Sequence, residues 1–409
     1  MNDILKKTLT LSDAIKISKP LKYNLMIKTV GSMCNLNCDY CYYLDKSALY
    51  HGVSIMSLDM LEKIIRNYVE TNAAEELVFN WHGGEPLLAG LGYYKEIIKL
   101  QNKYCGNKKI CNTLQTNAVL VNEEFASFFK DNNFLIGVSI DGPQDIHDRY
   151  RKDKLGAPTF KKVIRGIELL HRHNVDFNTM TTINKASESR GLEVYLFLKQ
   201  IGSQYMQFMP VVEYVNSLGR IVPPNYKEAT LAPWSVESMA FGEFMCDIFD
   251  SWVKNDVGTY FVNLFDSTLA NICGVECGCC AYSDTCGLNA VVEHNGDVYP
   301  CDHFVYPEYR LGNIAENDIY DIVSSSQMVE FGINKRNLLP RKCFSCDFFH
   351  VCHGECPKHR FLKIDKTDKG LNYLCDGYRL FYAHIQPYMD IMRGLIMQQR
   401  SPSEIMKMI

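Results

Sequence analysis

The sequence has 409 residues, 47% of them hydrophobic, with a formal net charge of -4 and a pI near 6.3. A chain of this size and apolar content can bury a large core, and its charge provides no broad cationic surface, so we expect no nucleic-acid partner. No apolar run is long enough to span a bilayer and the first residues lack the apolar core of a signal peptide, so we expect a cytoplasmic protein with no membrane partner.

From residue 21 to about 212, short β-rich runs alternate with segments of helical apolar period. Six runs are predicted to be strands: NLMIKTV, LVFNWHG, CNTLQTNA, FLIGVSIDG, VDFNTMTTIN and YMQFMPVV. Helices are predicted near residues 58–69, 93–104, 123–130, 160–173 and 191–201. Six successive βα units indicate parallel strands joined by right-handed crossovers, so the predicted fold class is α/β, with a partial (β/α)6 barrel of the TIM type.

In such folds the chemistry lies at the C-terminal ends of the strands. Polar or cysteine-bearing motifs follow the first four predicted strands: CNLNCDYC, HGGEP, QTN and SIDGP. We therefore expect these motifs to lie at the same end of the strands.

The first of these motifs carries Cys34, Cys38 and Cys41 in Cys-x3-Cys-x2-Cys spacing. A structural zinc site takes four ligands, disulfides take pairs, and disulfides are rare in the cytosol. Three thiolates on a short loop would leave one corner of a bound metal or cluster open to a substrate or cofactor. A zinc or structural cluster site completed by a distant residue is the alternative.

This spacing, with an aromatic residue before the last cysteine, resembles the signature of the radical S-adenosylmethionine (SAM) enzymes. The resemblance implies a 4Fe-4S cluster held by the three thiolates, whose fourth iron binds SAM and passes it an electron. It also implies SAM contacts at the matching positions Tyr40, Gly84, Ser139, Arg151 and Val212.

Eleven of the seventeen cysteines lie between residues 273 and 375. This region is too poor in apolar periodicity to hold a core alone, so we expect metal to help it fold. The spacing of its cysteines and of Gly296 resembles the SPASM domain, which carries auxiliary 4Fe-4S clusters, and four-thiolate zinc sites are the alternative. The resemblance implies Cys280, Cys286, Cys301 and Cys356 as ligands of a first auxiliary cluster and Cys343, Cys346, Cys352 and Cys375 as ligands of a second.

With the cluster at the N-terminal motif, the chain would hold three 4Fe-4S clusters. One assignment is open, because the run CGVECGCC places Cys273, Cys277 and Cys279 beside Cys280, and any of these could replace it. The spacing to Cys286 favours Cys280. These features divide the chain into an N-terminal lead-in (1–20), a radical SAM partial barrel (21–235), linking helices (236–272), a SPASM auxiliary-cluster domain (273–376) and a C-terminal helical segment (377–409).

From about Lys22 to Tyr378 the sequence resembles the anaerobic sulfatase-maturating enzymes, chiefly in the motifs CNLNCDYCYYLDK, LQTNAVLV, GVSIDGPQDIHD, GDVYPCDHFVYPEYRLGNI and CFSCDFFHVCHGECPKHR. The resemblance implies oxidation of a cysteine or serine in a sulfatase polypeptide to Cα-formylglycine, with a 5'-deoxyadenosyl radical removing a Cβ hydrogen. It implies Asp302 as the base. Its partners would be the sulfatase and an electron donor such as flavodoxin or ferredoxin.

Two other functions remain possible from the sequence. A radical SAM/SPASM enzyme that modifies another ribosomal peptide, for instance by thioether formation, would share every cluster ligand. Such enzymes often carry an N-terminal peptide-recognition domain, and only about twenty residues precede the first predicted strand, which argues against that type. A non-catalytic iron-sulfur carrier or zinc-stapled binding module would explain neither the six βα units nor the open three-cysteine loop.

Overall fold

The computed structural model describes residues 21–50, 55–223, 226, 228–363 and 370–409. The predicted lead-in over residues 1–20 lies outside the described residues. The strands are β1 (Asn24–Lys28), β2 (Glu76–His82), β3 (Lys109–Thr116), β4 (Phe134–Ser139), β5 (Phe177–Ile183), β6 (Tyr205–Pro210), β7 (Tyr214–Val215), β8 (Thr230–Leu231), β9 (Phe261–Val262), β10 (Asn289–Val292), β11 (Asp297–Tyr299), β12 (Gly312–Asn313), β13 (Arg360–Leu362) and β14 (Leu371–Asn372).

The α-helices are α1 (Leu58–Thr71), α2 (Leu91–Tyr104), α3 (Glu123–Asp131), α4 (Gln144–Tyr150), α5 (Phe160–Arg172), α6 (Gly191–Gln200), α7 (Ser238–Asn255), α8 (Asn263–Ile272), α9 (Ile319–Val323), α10 (Ser326–Asn337), α11 (Arg341–Phe344), α12 (Phe349–Cys352) and α13 (Cys375–Met397). The six predicted strands are β1 to β6, and the five predicted helices are α1, α2, α3, α5 and α6. The prediction of an α/β fold with mostly parallel strands is therefore confirmed. Within the described residues, no helix is both long enough and apolar enough to cross a membrane.

The first of two compact units contains the described parts of residues 1–33, 46–113 and 285–334. Its strand order is β12-β11-β10-β1-β2, in which β10, β1 and β2 are parallel while β11 and β12 are antiparallel to their neighbours. Leu25 in β1 lies between Ala290 and Phe79 in register, and all three are almost fully buried. Alternate residues of β1 and its neighbouring strands therefore form part of this unit's core.

The second unit contains residues 34–45, 114–284 and 335–409, as far as they are described. It includes the end of β3 and the parallel strands β4, β5, β6 and β9, in that order, together with the hairpins β7-β8 and β13-β14. Because each unit collects segments from distant parts of the chain, the compact units do not coincide with single stretches of sequence. The domain boundaries given above remain predictions.

Helices α7 and α13 of the second unit cross at a pair of glycines. A Cβ added to Gly377 would lie 1.9 Å from the carbonyl oxygen of Ser238, and one added to Gly242 would lie 2.5 Å from the carbonyl oxygen of Gly377. Only glycine permits such a close approach of two backbones. The crossing fixes the start of α13, where Cys375 is the first residue.

Strands β7 to β14, helix α4 and helices α9 to α12 were not predicted from the sequence. The strand β10 has four residues, NAVV, in the cysteine-rich region. A run this short is stable only when paired, and its partner β1 lies more than 250 residues earlier in the chain. A long-range pairing of this kind leaves no local signal in the sequence.

Candidate active site

The first cysteine motif forms a loop over residues 34–45, which we call the cysteine loop. It belongs to the second unit, and other parts of that unit hold its shape. The Asn37 amide donates to the Lys152 carbonyl at 2.8 Å, and the Asp39 amide donates to the Tyr150 carbonyl at 3.1 Å. These backbone hydrogen bonds join the loop to the segment that follows α4 and contains Arg151. The loop is therefore shaped by protein contacts.

The thiols of the cysteine loop lie close enough to affect one another. Burial raises the pKa of Cys38 and Cys41, and at Cys38 the neighbouring thiols Cys41 and Cys34 raise it further. The Arg151 guanidinium opposes both shifts. Thiols with raised pKa values keep their protons until a metal displaces them, which iron does when it binds sulfur as thiolate. The donor set fits a cluster with three protein ligands.

Beside this loop, an aspartate that the sequence analysis missed joins two of the predicted SAM contacts. The Tyr40 hydroxyl donates to Asp141 Oδ2 at 2.5 Å, and Arg151 Nε lies 3.0 Å from Asp141 Oδ1. Burial alone would lower the pKa of Arg151, but the charges of Asp141, Tyr40 and Cys38 together with the hydrogen bond to Asp141 outweigh it, so the pKa is raised. Asp141 is fully buried and organises the site. It stands directly after β4 in the SIDGP motif, a position that could have identified it.

Ser139 and Val212, two further predicted SAM contacts, lie at the C-terminal ends of parallel strands. Ser139 ends β4, and its hydroxyl accepts a hydrogen bond from Gln115 Nε2 at 2.9 Å. Gly137 makes room for that glutamine, because an added Cβ would lie 2.0 Å from Gln115 Oε1. Val212 follows β6 and is buried. Both residues belong to the second unit.

Gly84 lies in the first unit, where its backbone packs against the residues that precede Cys34. Its amide donates to the Gly31 carbonyl at 2.7 Å, and an added Cβ would lie 2.2 Å from the Met33 carbonyl oxygen. From the sequence, this glycine was predicted only as a SAM contact. The structure shows that close backbone packing is by itself sufficient to require glycine here.

Asp302, the predicted base, forms an ion pair with Lys28 at the end of β1. Burial alone would raise the pKa of Asp302, but Lys28, through its charge and its hydrogen bond, acts together with His82 and His303 to outweigh burial and lower the pKa far below the usual range. Lys28 Nζ also lies 3.1 Å from His82 Nδ1. Burial, followed by the Lys28 charge, lowers the pKa of His82 to about 4. At neutral pH this group therefore contains an ionised carboxylate and a neutral imidazole.

The four cysteines predicted to hold the first auxiliary cluster are divided between the units, with Cys286 and Cys301 in the first and Cys280 and Cys356 in the second. In the second unit, the buried Lys335 ammonium donates to the carbonyl oxygens of Cys280 and Ala281 at 2.5 and 2.8 Å. In the first unit, the Cys286 amide donates to a carbonyl of α10 at 3.1 Å. In each unit, hydrogen bonds to the backbone therefore hold one of these predicted ligands in place, Cys280 in the second unit and Cys286 in the first.

The four cysteines predicted to hold the second auxiliary cluster line one cavity of about 220 Å³ in the second unit: Cys343, Cys346, Cys352 and Cys375. We call it the four-cysteine cavity. Burial raises the thiol pKa of Cys343 to about 11 and that of Cys352 to about 12. Over the part of the chain that the structure describes, no three His, Cys, Asp or Glu side chains are placed to hold a single metal ion. Four thiols that line one cavity form a donor set that fits an iron-sulfur cluster with four protein ligands.

Two family models match the chain. The model described as the radical SAM superfamily matches residues 29–198. The model described as an iron-sulfur cluster-binding domain, SPASM, matches residues 280–347. Between them they include the cysteine loop and part of the C-terminal cysteine region.

The chain is also similar to curated enzymes over nearly its whole length. It is 46% identical to a serine-type anaerobic sulfatase-maturating enzyme of Bacteroides thetaiotaomicron, over 95% of both chains. It is 33% identical to a cysteine-type anaerobic sulfatase-maturating enzyme of Clostridium perfringens, over 89% of this chain and 96% of that one. Among solved structures, native anSMEcpe with bound AdoMet and Cp18Cys peptide matches with a TM-score of 0.81 and 32% identity, over 91% of this chain and 99% of that one.

Proposed function

Because the chain belongs to the anaerobic sulfatase-maturating enzymes of the radical SAM superfamily, we propose that it oxidises a cysteine or serine of a sulfatase polypeptide to Cα-formylglycine. It is a radical SAM oxidoreductase, and its cofactors are SAM and iron-sulfur clusters. The observation that carries the proposal is the cysteine loop, where interacting thiols lie beside the buried Asp141 and Arg151.

We infer that Cys34, Cys38 and Cys41 hold the cluster that binds SAM. When bound there, a 4Fe-4S cluster with one free iron supplies the electron that cleaves SAM to methionine and a 5'-deoxyadenosyl radical, which takes a hydrogen atom from the substrate Cβ. The role of the protein is to hold SAM in place. Arg151 has five N–H donors on three nitrogens, and its Nε faces Asp141; we assign the donors of the other two nitrogens to the SAM carboxylate.

The remaining proposed SAM contacts supply one group each. We assign the backbone of Gly84 to the SAM amine, the hydroxyl of Ser139 to the carboxylate, and the side chains of Val212 and Tyr40 to the adenine. The buried position of Val212 suits an apolar contact with a flat ring.

After hydrogen abstraction, the substrate must still lose one electron and one proton to become an aldehyde or thioaldehyde. We assign the proton to Asp302, which Lys28 keeps ionised and therefore able to accept it. We infer a total of three clusters, so that the two auxiliary clusters are available to accept the electron. The first is held by Cys280, Cys286, Cys301 and Cys356, and the second by the lining of the four-cysteine cavity.

We further propose that serine is the preferred target residue. The identity is 46% to the serine-type relative and 33% to the cysteine-type relative, and the two comparisons each cover most of the chain. The proposed reductant is a flavodoxin or ferredoxin.

The test is an anaerobic assay. The protein is reconstituted with iron and sulfide, then mixed with SAM, dithionite and a pair of sulfatase-motif peptides that differ only in serine or cysteine at the target position. Products are followed by mass spectrometry. We expect formylglycine in the serine peptide at a higher rate than in the cysteine peptide, with one 5'-deoxyadenosine for each conversion.

Two variants define the baseline of this assay. Cys38→Ala removes a proposed ligand of the SAM-binding cluster, while Cys105→Ala removes a half-exposed thiol outside every proposed site. Deoxyadenosine without any change in either peptide would contradict the sulfatase assignment and favour a maturase of another ribosomal peptide, such as a thioether-forming enzyme. Intact SAM in a cluster-loaded protein would contradict the enzymatic assignment itself.

A further inference from the structure

Two tyrosines of α13, Tyr378 and Tyr382, line the four-cysteine cavity. Their rings stack with centroids 5.8 Å apart, and each residue is only 1% exposed. A buried tyrosine hydroxyl normally has a hydrogen-bond partner, because leaving it without one costs about 1 to 3 kcal/mol. Within the described residues, neither hydroxyl has a partner that meets hydrogen-bond geometry. Both donors therefore need explaining.

The two hydroxyls have different neighbours. Burial is the main cause that raises the pKa of both hydroxyls. At Tyr378 the next largest contribution to the raised pKa comes from the phenol of Tyr282, which also lies within hydrogen-bonding reach. At Tyr382 it comes from Cys352, one of the four cysteines that line the same cavity. The hydroxyl of Tyr378 thus has the phenol of Tyr282 as its neighbour, whereas the hydroxyl of Tyr382 has the sulfur of a predicted cluster ligand, Cys352.

The Cys352 side of the cavity already carries one donor to sulfur. Residues 353–355 all have positive φ angles, of 48°, 71° and 51°. Only one of them is glycine, and left-handed backbone is unfavourable for the others, so the surrounding structure must hold it. The buried Glu355 is fixed by His359 at 3.0 Å. In this conformation the Gly354 backbone N–H lies close enough to Cys352 to oppose the rise that burial causes in its thiol pKa, and successive N–H groups of left-handed backbone form the nests that bind iron-sulfur clusters.

We propose that the Tyr382 hydroxyl donates a hydrogen bond to a sulfur atom of the second auxiliary cluster, on the Cys352 side, and so raises the reduction potential of that cluster. The proposal rests on the proposed function, because it requires that this cluster be present. A hydrogen bond to cluster sulfur raises the potential because it stabilises the additional negative charge of the reduced state. Tyr382 touches no substrate and acts through the cluster.

The test compares Tyr382→Phe with Tyr378→Phe in the fully reconstituted protein. Both substitutions remove one hydroxyl from the same ring stack and keep the ring. The midpoint potential of each cluster is measured by a redox titration followed by EPR, with Cys346→Ala used to identify the signal of the second auxiliary cluster. In D2O, ENDOR then reports the exchangeable deuteron nearest that cluster.

In Tyr382→Phe we expect the potential of the second auxiliary cluster to become more negative, the potentials of the other clusters to stay unchanged, and one exchangeable deuteron coupling to disappear. In Tyr378→Phe we expect both readouts to match the wild type.

If both variants shift the potential equally, ring packing explains the effect and the proposal is wrong. If the cluster is present in Tyr382→Phe with an unchanged potential and deuteron coupling, the proposal fails while the proposed function stands. If the wild type lacks any signal that Cys346→Ala removes, the cluster assignment and this proposal both fail.

Discussion

The cysteine loop and the four-cysteine cavity bring sulfur atoms together in contrasting ways. The loop carries its three cysteines on one short segment, held by backbone hydrogen bonds and flanked by the paired side chains of Asp141 and Arg151. The cavity collects its four cysteines from α11 to α13 and is lined in part by aromatic rings. A site that must bind and cleave a charged molecule needs fixed polar groups and an open ligand position, whereas an electron-transfer site needs saturated ligands and few solvent contacts.

The largest effects on activity should come from two separate variants, one that removes a cysteine of the cysteine loop and one that removes a cysteine of the four-cysteine cavity. We expect Cys38→Ala to abolish 5'-deoxyadenosine formation, because the cluster that binds SAM loses a ligand. We expect Cys346→Ala to keep SAM cleavage but to lose formylglycine, because only electron acceptance fails. Iron content and deoxyadenosine yield are measured together in the two variants and in Cys105→Ala. If Cys346→Ala loses SAM cleavage although the loop holds its full complement of iron, the proposal that the loop cleaves SAM and the cavity only accepts electrons is wrong.

Asp302→Asn sharpens the comparison because it leaves both groups of cysteines intact. Asparagine is close in size but cannot take a proton, so formylglycine formation should fall by about 10² to 10⁴-fold, the usual contribution of a general base. Deoxyadenosine formation should continue, uncoupled from product. The matched control is Asp297→Asn, which removes another carboxylate of the first unit, paired with Arg310 at 2.6 Å. Equal losses in the two variants would indicate a structural role for Asp302.

The cysteine loop was largely predictable because its determinants are local. Cys34, Cys38 and Cys41 lie within eight residues, and their spacing alone indicates an open ligand position. The β1 to β6 strands carry strong local patterns for the same reason. Asp141 was missed although it lies in a quoted motif, because its importance comes from contacts with Tyr40 and Arg151 that the sequence does not reveal.

For the four-cysteine cavity, the sequence pointed to the four cysteines but not to the rest of the lining. Its wall depends on α13 packing across α7, which brings Tyr382 into the same cavity as Cys352, thirty residues away in the chain. The left-handed backbone of residues 353–355 was equally invisible, since two of the three residues there are not glycine. Contacts that depend on tertiary packing leave no periodic or compositional signal.

Arg151→Lys tests the polar surroundings that distinguish the loop from the cavity. Lysine keeps the positive charge but loses the planar set of donors, so we expect the KM for SAM to rise by about 10 to 100-fold, as for the loss of a charged hydrogen bond. The potentials of the auxiliary clusters should not change. The control is Arg190→Lys, a surface change in the same unit, where Arg190 pairs with Asp145. An unchanged KM would show that Arg151 does not hold the SAM carboxylate.

Gly377→Ala should give the smallest effect, and one confined to the cavity. The added methyl group would lie 1.9 Å from the Ser238 carbonyl oxygen, so α13 must move away from α7 and take Cys375 with it. We expect the unfolding free energy to fall by about 1 to 3 kcal/mol, as for other overpacked contacts, and the second auxiliary cluster to be lost before the SAM-binding cluster on heating.

Gly394→Ala on the same helix is the control, because an added Cβ there meets no heavy atom within 4 Å. Since alanine favours a helix interior over glycine, this control should be neutral or slightly stabilised. Identical melting and iron loss in the two variants would mean that the glycine crossing does not hold Cys375 in place.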